Sequence, residues 1–290
     1  MHATSKIGRF LAKSRRGKYA SLAKLVMRTL RVPAVPVRLS YGAWWLAGPG
    51  LLDERLLNGG FETAELKFVE RYLKPGMVVM DIGAHHGLYS LLAAKCVGGS
   101  GRVYSFEPSP RERKYLKRNL IINHCRNVTV ESIALGSGAG RTELFVVEGD
   151  KDCCNSLRPP SEPVTSQKVP VEIQPLDEYL KNERIDKVDF IKLDVEGGEL
   201  EVLRGAGQLL RSPDRPVILA EVEDIRTAAW GYRAEEIIRY LEGLGFRWYG
   251  LTETGALMPL DTSARSYDRN YVACPEERLP AILELAEMAW

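Results

Sequence analysis

Residues 77–107, MVVMDIGAHHGLYSLLAAKCVGGSGRVYSFE, limit the fold of this chain more than any other stretch. MVVMDI (77–82) is a short continuous apolar run, the pattern of a strand buried on both faces. Gly83 and Gly87 bracket a turn, LYSLLAAKC (88–96) reads as helix, and RVYSFE (102–107) reads as a second strand closed by Glu107. Strand, glycine-bearing turn, helix and strand within roughly 30 residues form one nucleoside-binding half of a doubly wound sheet.

The alternation continues downstream. PRERKYLKRNLIIN (110–123) predicts a helix with Pro110 in its first turn, VTVESIAL (128–135) a third strand, VDFIKLDV (188–195) a fourth and PVILAEVE (216–223) a fifth. Helices are expected at 176–183, 198–210 and 234–245, late strands at 246–251 and 270–275, and a last helix at 278–290. RTELFVV (141–147) and KVPVEIQ (168–174) look like an inserted strand pair, joined by a polar loop (148–167) long enough for a lid or binding loop. The expected class is α/β: a doubly wound, mostly parallel, Rossmann-like sheet of seven strands with helices on both faces. Ahead of it, apolar spacing predicts helix within 5–30, a strand over 37–46 and a helix over 62–73. This divides the chain into a basic N-terminal extension and cover segment (1–60), a main domain (61–276) and a C-terminal helix (277–290).

Charge narrows the partners. The 290 residues carry 40 Lys and Arg against 38 Asp and Glu, a net of +2, which predicts no nucleic-acid binding. The basic helix at 111–118 has no interleaved aromatic beyond Tyr115, which agrees. Residues 1–40 hold ten of the basic residues and no acid, so a basic arm precedes an acidic body. The arm reads as a solvated leader. It is also compatible with peripheral contact to an anionic membrane surface or substrate carrier, or with a transit peptide. No apolar run approaches 18 residues, so no transmembrane helix is expected. The five cysteines (Cys96, Cys125, Cys153, Cys154, Cys274) match no zinc spacing and point to a reducing compartment. The expected location is cytoplasmic, with the arm allowing a membrane-peripheral one.

In a sheet of this kind the crevice lies beyond the carboxyl ends of the strands. That rule marks Asp81, Glu107, Asp194, Glu196, Glu221 and Glu223. Asp81-Ile-Gly-Ala-His-His-Gly87 is not the three-glycine dinucleotide fingerprint. A carboxylate ahead of the first glycine repels a pyrophosphate and suits a cation or amine. S-adenosylmethionine (SAM) offers both an α-amino group and a sulfonium. Gly83 is expected to let the backbone approach the cofactor closely, and Glu107, 24 residues on, to accept the ribose hydroxyls.

Three stretches carry a more specific likeness: LKPGMVVMDIGAHHGLYS (73–90), VYSFEPSPRERKYLKRNL (103–120) and VDFIKLDVEGGELEVLRGA (188–206), with Asn155-Ser156-Leu157 between them. They resemble the FkbM family of SAM-dependent methyltransferases, over about residues 60–225. The resemblance implies the class I methyltransferase fold, SAM as cofactor and methyl transfer, usually to a hydroxyl of a sugar, polyketide or similar metabolite. One position departs: His85 stands where the family pattern has Asn, which bears on the cofactor contacts. The candidate cofactor residues are Asp81, Gly83, Ala84, His85, Gly87, Tyr89, Glu107, Pro108, Ala134 and Asp194.

A hydroxyl nucleophile must lose its proton. Asp194 is the favoured base or hydroxyl acceptor, Glu196 and Glu221 are expected to shape the site, and His86 is either a base or a solvated loop residue. No metal is assigned. Asp194 and Glu221 are the ligands if transfer is metal-assisted; otherwise Glu196 and Glu221 pair with Lys192 or backbone donors. The expected function is O-methylation of a small-molecule, glycan or lipid-linked acceptor. N- or protein-directed methylation and a non-catalytic nucleoside-binding module are the alternatives. Tyr41, Trp44 and Trp45 read as core packing or a cover over the sheet edge, and segment 41–46 and the C-terminal helix with Trp290 are candidate homo-oligomer contacts.

Overall fold

The computed structural model describes residues 25–27, 29, 34–48, 50–149, 154–159, 164–264, 266–280 and 282. Most of the helix expected within 5–30, most of the final helix with Trp290, Cys153 and the middle of the 148–167 loop lie outside the described residues.

The described chain opens with an antiparallel hairpin, β1 (Val35–Arg38) and β2 (Trp44–Ala47), where one strand over 37–46 was expected. Gly42, at φ 87, turns the chain back within that run. Helices α1 (Leu51–Leu57) and α2 (Thr63–Tyr72) follow. The nucleoside-binding stretch forms β3 (Val78–Ile82), α3 (Leu88–Val97) and β4 (Arg102–Phe106), then α4 (Pro110–Ile122) and β5 (Val128–Glu131). The inserted sheet consists of β6 (Ala134–Leu135), β7 (Gly140–Val147) and β8 (Ser166–Gln174). The second half runs through α5 (Leu176–Glu183), β9 (Phe190–Leu193), α6 (Glu199–Arg204), β10 (Val217–Glu223), α7 (Asp224–Thr227) and α8 (Ala234–Glu242). It closes with β11 (Phe246–Leu251), β12 (Leu257–Pro259) and β13 (Asp268–Pro275).

The main sheet has the order β12-β11-β13-β10-β9-β3-β4-β5. It contains the seven expected strands plus the three-residue edge strand β12. From β5 to β10 neighbouring strands are parallel, and β13 runs antiparallel to both β10 and β11. The chain winds outward from β3 to β5 and then returns to β9 on the other side of β3. The order therefore reverses between β3 and β9, and that reversal opens a crevice above their carboxyl ends. The segment read as one strand over 128–135 divides: β5 stays in the main sheet, whereas β6 leaves it and pairs with β8. The helix expected over 198–210 ends at Arg204, and Leu209–Arg211 forms a separate 3-10 turn.

Strand periodicity explains the two-sided core. Along β10, Val217 and Leu219 enter one apolar cluster, while Ile218, Ala220 and Val222 enter the other. Successive side chains point to opposite faces, so a continuous apolar run feeds both. The first cluster also takes in the hairpin and α2 and α3, and the second takes in α5, α6 and α8. Truncating a fully buried residue such as Leu219 to Ala is expected to cost about 2–5 kcal/mol.

Trp45 and Tyr41 are core residues, whereas Trp44 stays half-exposed beneath the Arg38 guanidinium. The free edge of β2 is satisfied by side-chain amides of α4. Asn123 Oδ1 accepts from Trp44 N at 2.7 Å and Asn119 Oδ1 accepts from Leu46 N at 2.9 Å. Asn119 also donates to the His86 carbonyl at 3.0 Å, which ties the hairpin to the turn after β3. Among the described residues no helix is long and apolar enough to cross a membrane.

Candidate functional site

The crevice above β3, β4, β9 and β10 contains a cavity of about 590 Å³, within the usual range for small-molecule sites, roughly 300–1,000 Å³. The candidate residues Asp81, Gly83, Ala84, His85, His86, Tyr89, Glu107, Pro108, Ala134, Asp194, Glu196 and Glu221 all line it. Gly87 does not. It caps α3 at φ 92, and a Cβ there would press on Leu116 of α4, so its glycine serves helix packing.

Gly83 has a structural requirement of its own, besides its place in the cavity lining. It adopts φ 85, and a Cβ would run into the Asp194 carbonyl, because the Asp194 N–H donates to the Ile82 carbonyl at 3.0 Å. The glycine thus lets β9 approach β3, which sets the position of Asp194.

On the β3–β4 side, Asp81 is buried and accepts from Ser90 Oγ at 2.5 Å. Burial pushes its carboxyl up to about 6. Glu107 is also buried; it accepts from His85 N and from Ser109 N, both at 2.8 Å. Burial, with Glu112 close by, pushes it up to about 8. Each carboxylate oxygen of Glu107 retains capacity for a second donor.

His85 adopts φ 48, a left-handed conformation in which Asn and His are enriched among non-glycine residues. A histidine is thus accommodated in this turn. His86 is buried rather than solvated. Its ring packs 4.0 Å from His85, 4.5 Å from Tyr115 and 6.2 Å from Trp45, centroid to centroid. Burial, then the positive charge potential of His85 and Arg111, pushes it down to about 2, so it is neutral and a weak base at ordinary pH.

On the β9–β10 side a polar network crosses the sheet. Lys192, buried in β9, donates to Asp194 Oδ2 at 3.0 Å and to Asn270 Oδ1 at 2.9 Å. Asn270 donates to Glu62 at 2.9 Å, and Glu62 accepts from the Tyr89 hydroxyl at 2.6 Å. Burial opposes the Lys192 charge, but Asp194, Glu62 and Glu221 outweigh it and raise the ammonium above its ordinary value. Tyr89 therefore spends its hydroxyl on Glu62.

Glu196 adopts φ 57, and its carbonyl accepts from Ser156 Oγ at 2.9 Å and from Trp230 Nε1 at 3.3 Å. The inserted sheet's loop and the segment after α7 are thus both fastened to this one residue. Arg226 Nη1 lies 2.9 Å from Glu196 Oε2, too oblique for a hydrogen bond, and Arg226 Nε lies 3.5 Å from Glu223. The expected pairing of Glu196 with Lys192 is replaced by this arginine. Glu221 Oε2 is shielded from solvent and has no hydrogen-bond partner among the described residues. Burial, followed by the charges of Asp194 and Glu196, raises Glu221 well above the carboxylate range.

Sequence reasoning passed over Glu62, Asn270, Arg226, Trp230 and the role of Ser156 in this wall. Lys192 had a visible signal, a lone cation inside the apolar strand FIKL. Arg226 and Asn270 had none, since their place depends on how distant segments meet.

The Methyltransferase FkbM domain model matches residues 81–248. The chain belongs to the FkbM methyltransferase family. This FkbM-family chain is similar to the 31-O-demethyl-FK506 methyltransferase FkbM of Streptomyces tacrolimicus, with 27% identity over 253 residues, 76% of the chain and 89% of that protein. It is 24% identical over 149 residues to the 2-O-methyltransferase NoeI of Sinorhizobium fredii, 47% of the chain and 60% of that protein. It spans between 10% and 60% of the length of other curated relatives that it matches. Among solved structures, a precorrin-6y C5,15-methyltransferase from Geobacter metallireducens superposes with a TM-score of 0.42 at 15% identity, over 75% of the chain and 89% of that structure.

Proposed function

We propose that this protein transfers a methyl group from SAM to a hydroxyl of a sugar, glycan or small natural product. The observation that carries the reading is one cavity with two walls: a nucleoside wall with Asp81 and Glu107 at the ends of β3 and β4, and a carboxylate wall with Asp194, Glu196 and Glu221. The names of the relatives, both O-methyltransferases by their printed descriptions or substrates, support oxygen as the acceptor atom.

The residues fit SAM. Glu107 suits the two ribose hydroxyls, Asp81 suits the cationic end, and Ile133, Leu135 and Leu144 offer apolar cover for a base. When bound, SAM supplies an electrophilic methyl group. Asp194, fixed by the Lys192 ammonium, orients the acceptor hydroxyl and receives its proton. Asn155, Ser156 and Leu157, with the Trp230 ring, line the acceptor end and limit the entry of water.

Calorimetric titration with SAM and S-adenosylhomocysteine tests the cofactor half; absence of binding at high micromolar ligand overturns the reading. Labelled SAM offered with sugar, lipid-linked and polyketide acceptors tests the acceptor half. Label appearing only in protein or amine acceptors would replace O-methylation with the N- or protein-directed alternative.

A further inference from the structure

Three carboxyl groups meet at the acceptor end of the cavity. One carboxylate oxygen each from Asp194, Glu196 and Glu221 lies within 4.8 Å of the other two. Oxygen ligands sit about 2.0–2.6 Å from Mg²⁺ or Ca²⁺, so three side chains this close can converge on one hard cation after small rotations of their carboxyl groups. Closeness of acids alone does not call for an ion. Two further observations do.

The first is Glu221 Oε2, shielded from solvent and with no donor among the described residues. A buried oxygen left without a partner carries a desolvation cost on the order of 1–3 kcal/mol, more when charged. The second is the charge balance. Asp194, Glu196, Glu221 and Glu223 bring four carboxylates, against Lys192 on Asp194 and Arg226 shared between Glu196 and Glu223. Both cations are engaged by other acids, and among the described residues Glu221 forms an ion pair with neither. The framework also holds the ligands in place: Asp194 by Lys192, and Glu196 by Arg226 and by the Ser156 and Trp230 bonds to its carbonyl. A second grouping, His85, His86 and Glu112, lacks such a deficit, since Ser109 and Arg111 already donate to Glu112.

We propose that Asp194, Glu196 and Glu221 bind a divalent cation of the Mg²⁺ or Mn²⁺ kind at the acceptor end of the cavity. This goes beyond methyl transfer and does not depend on it, because SAM and acceptor supply none of the three carboxylates. A hydroxyl bound there would face a Lewis acid that lowers its pKa.

The test uses the full-length protein freed of metal, titrated with MnCl₂ and followed by loss of the free-ion electron paramagnetic resonance signal. One Mn²⁺ per chain is expected, displaced by MgCl₂. Glu221→Gln is expected to weaken binding about 10- to 100-fold. Because that change removes one carboxyl group from a crowded buried cluster, metal-free thermal unfolding of the variant should match or exceed wild type, which separates lost ligation from lost fold. Glu143→Gln, on the exposed face of β7 and paired with Lys168, should leave binding unchanged. No binding at millimolar Mn²⁺, as expected if a cationic acceptor neutralises the cluster instead, overturns the proposal. So does binding that is equal in wild type and Glu221→Gln. SAM titration of the same samples reads the methyl-transfer proposal separately.

Discussion

Lys192 Nζ stands 3.0 Å from Asp194 Oδ2 and 2.9 Å from Asn270 Oδ1, a single ammonium joining β9 to β13 across β10. A cation buried in an apolar strand persists only when its partners replace water. Lys192→Met would leave Asp194 and Asn270 without their donor. The expected loss is about 2–3 kcal/mol, the low side of the usual range for a broken buried pair because Asp194 keeps 27% side-chain exposure. Urea unfolding at neutral pH measures it; a variant as stable as wild type would show that the pair contributes nothing net.

Three buried carboxyls make stability depend on pH with an uncommon sign. Asp81, Glu199 and Glu107 are pushed up by burial to about 6, 7 and 8. Unfolded carboxyls titrate near 4, so the folded protein binds these protons more tightly. Their stabilising contribution is complete below about pH 4 and is lost as pH rises through each folded value. The ligand-free protein should therefore lose stability between about pH 5 and 8, by up to ~1.4 kcal/mol per pH unit for each proton released. Glu107→Gln should flatten the upper part of that slope in urea midpoints taken across the range.

His86 acts in the opposite direction. Its folded value, about 2, lies below the unfolded value near 6.5. Its contribution is complete above about pH 6.5 and is lost as pH falls toward the folded value. His86→Phe keeps a ring among Trp45, His85 and Tyr115 and removes the titration. The variant should lose less stability in acid than wild type, and turnover should retain its pH profile near neutrality. A missing activity limb in the variant would make His86 a base after all.

Gly83→Ala tests the junction of β3 and β9. Its Cβ would collide with the Asp194 backbone, and φ 85 is strained for any residue with a Cβ. Destabilisation of at least ~2–3 kcal/mol is expected, with loss of SAM binding. Thermal unfolding and calorimetry on the same sample separate the two effects.

Ser156→Ala removes one of the two donors to the Glu196 carbonyl. The stability change should be small, about 1 kcal/mol. The larger effect should fall on acceptor KM, with SAM affinity preserved, since Ser156 fastens the loop at the acceptor wall. Equal loss of SAM affinity would place the loop's role elsewhere.

Much of this molecule is legible along the chain because its signals are local. A continuous apolar run ending in an acid marks β3, and the same pattern recurs at β9 and β10. Asp81, Glu107, Asp194, Glu196 and Glu221 follow from strand ends in a parallel sheet, where backbone direction alone places them on one edge. His86 was misjudged because exposure is not local: the hairpin and α4 fold over the turn and bury it. Gly83, expected to serve a ligand, also has a steric role toward the neighbouring strand that the sequence did not show.

The sequence by itself determined the class of fold, the family and the set of acids at the strand ends, all of which depend on side-chain periodicity and short motifs. Tertiary structure decided the pairings. Lys192 meets Asp194 and Asn270, Arg226 meets Glu196, and Glu221 Oε2 meets no donor among the described residues. Those outcomes depend on strand register, on the return of β13 beside β10, and on the turn at α7. Charges interact through space over a few ångströms, and segments brought that close can lie far apart along the chain.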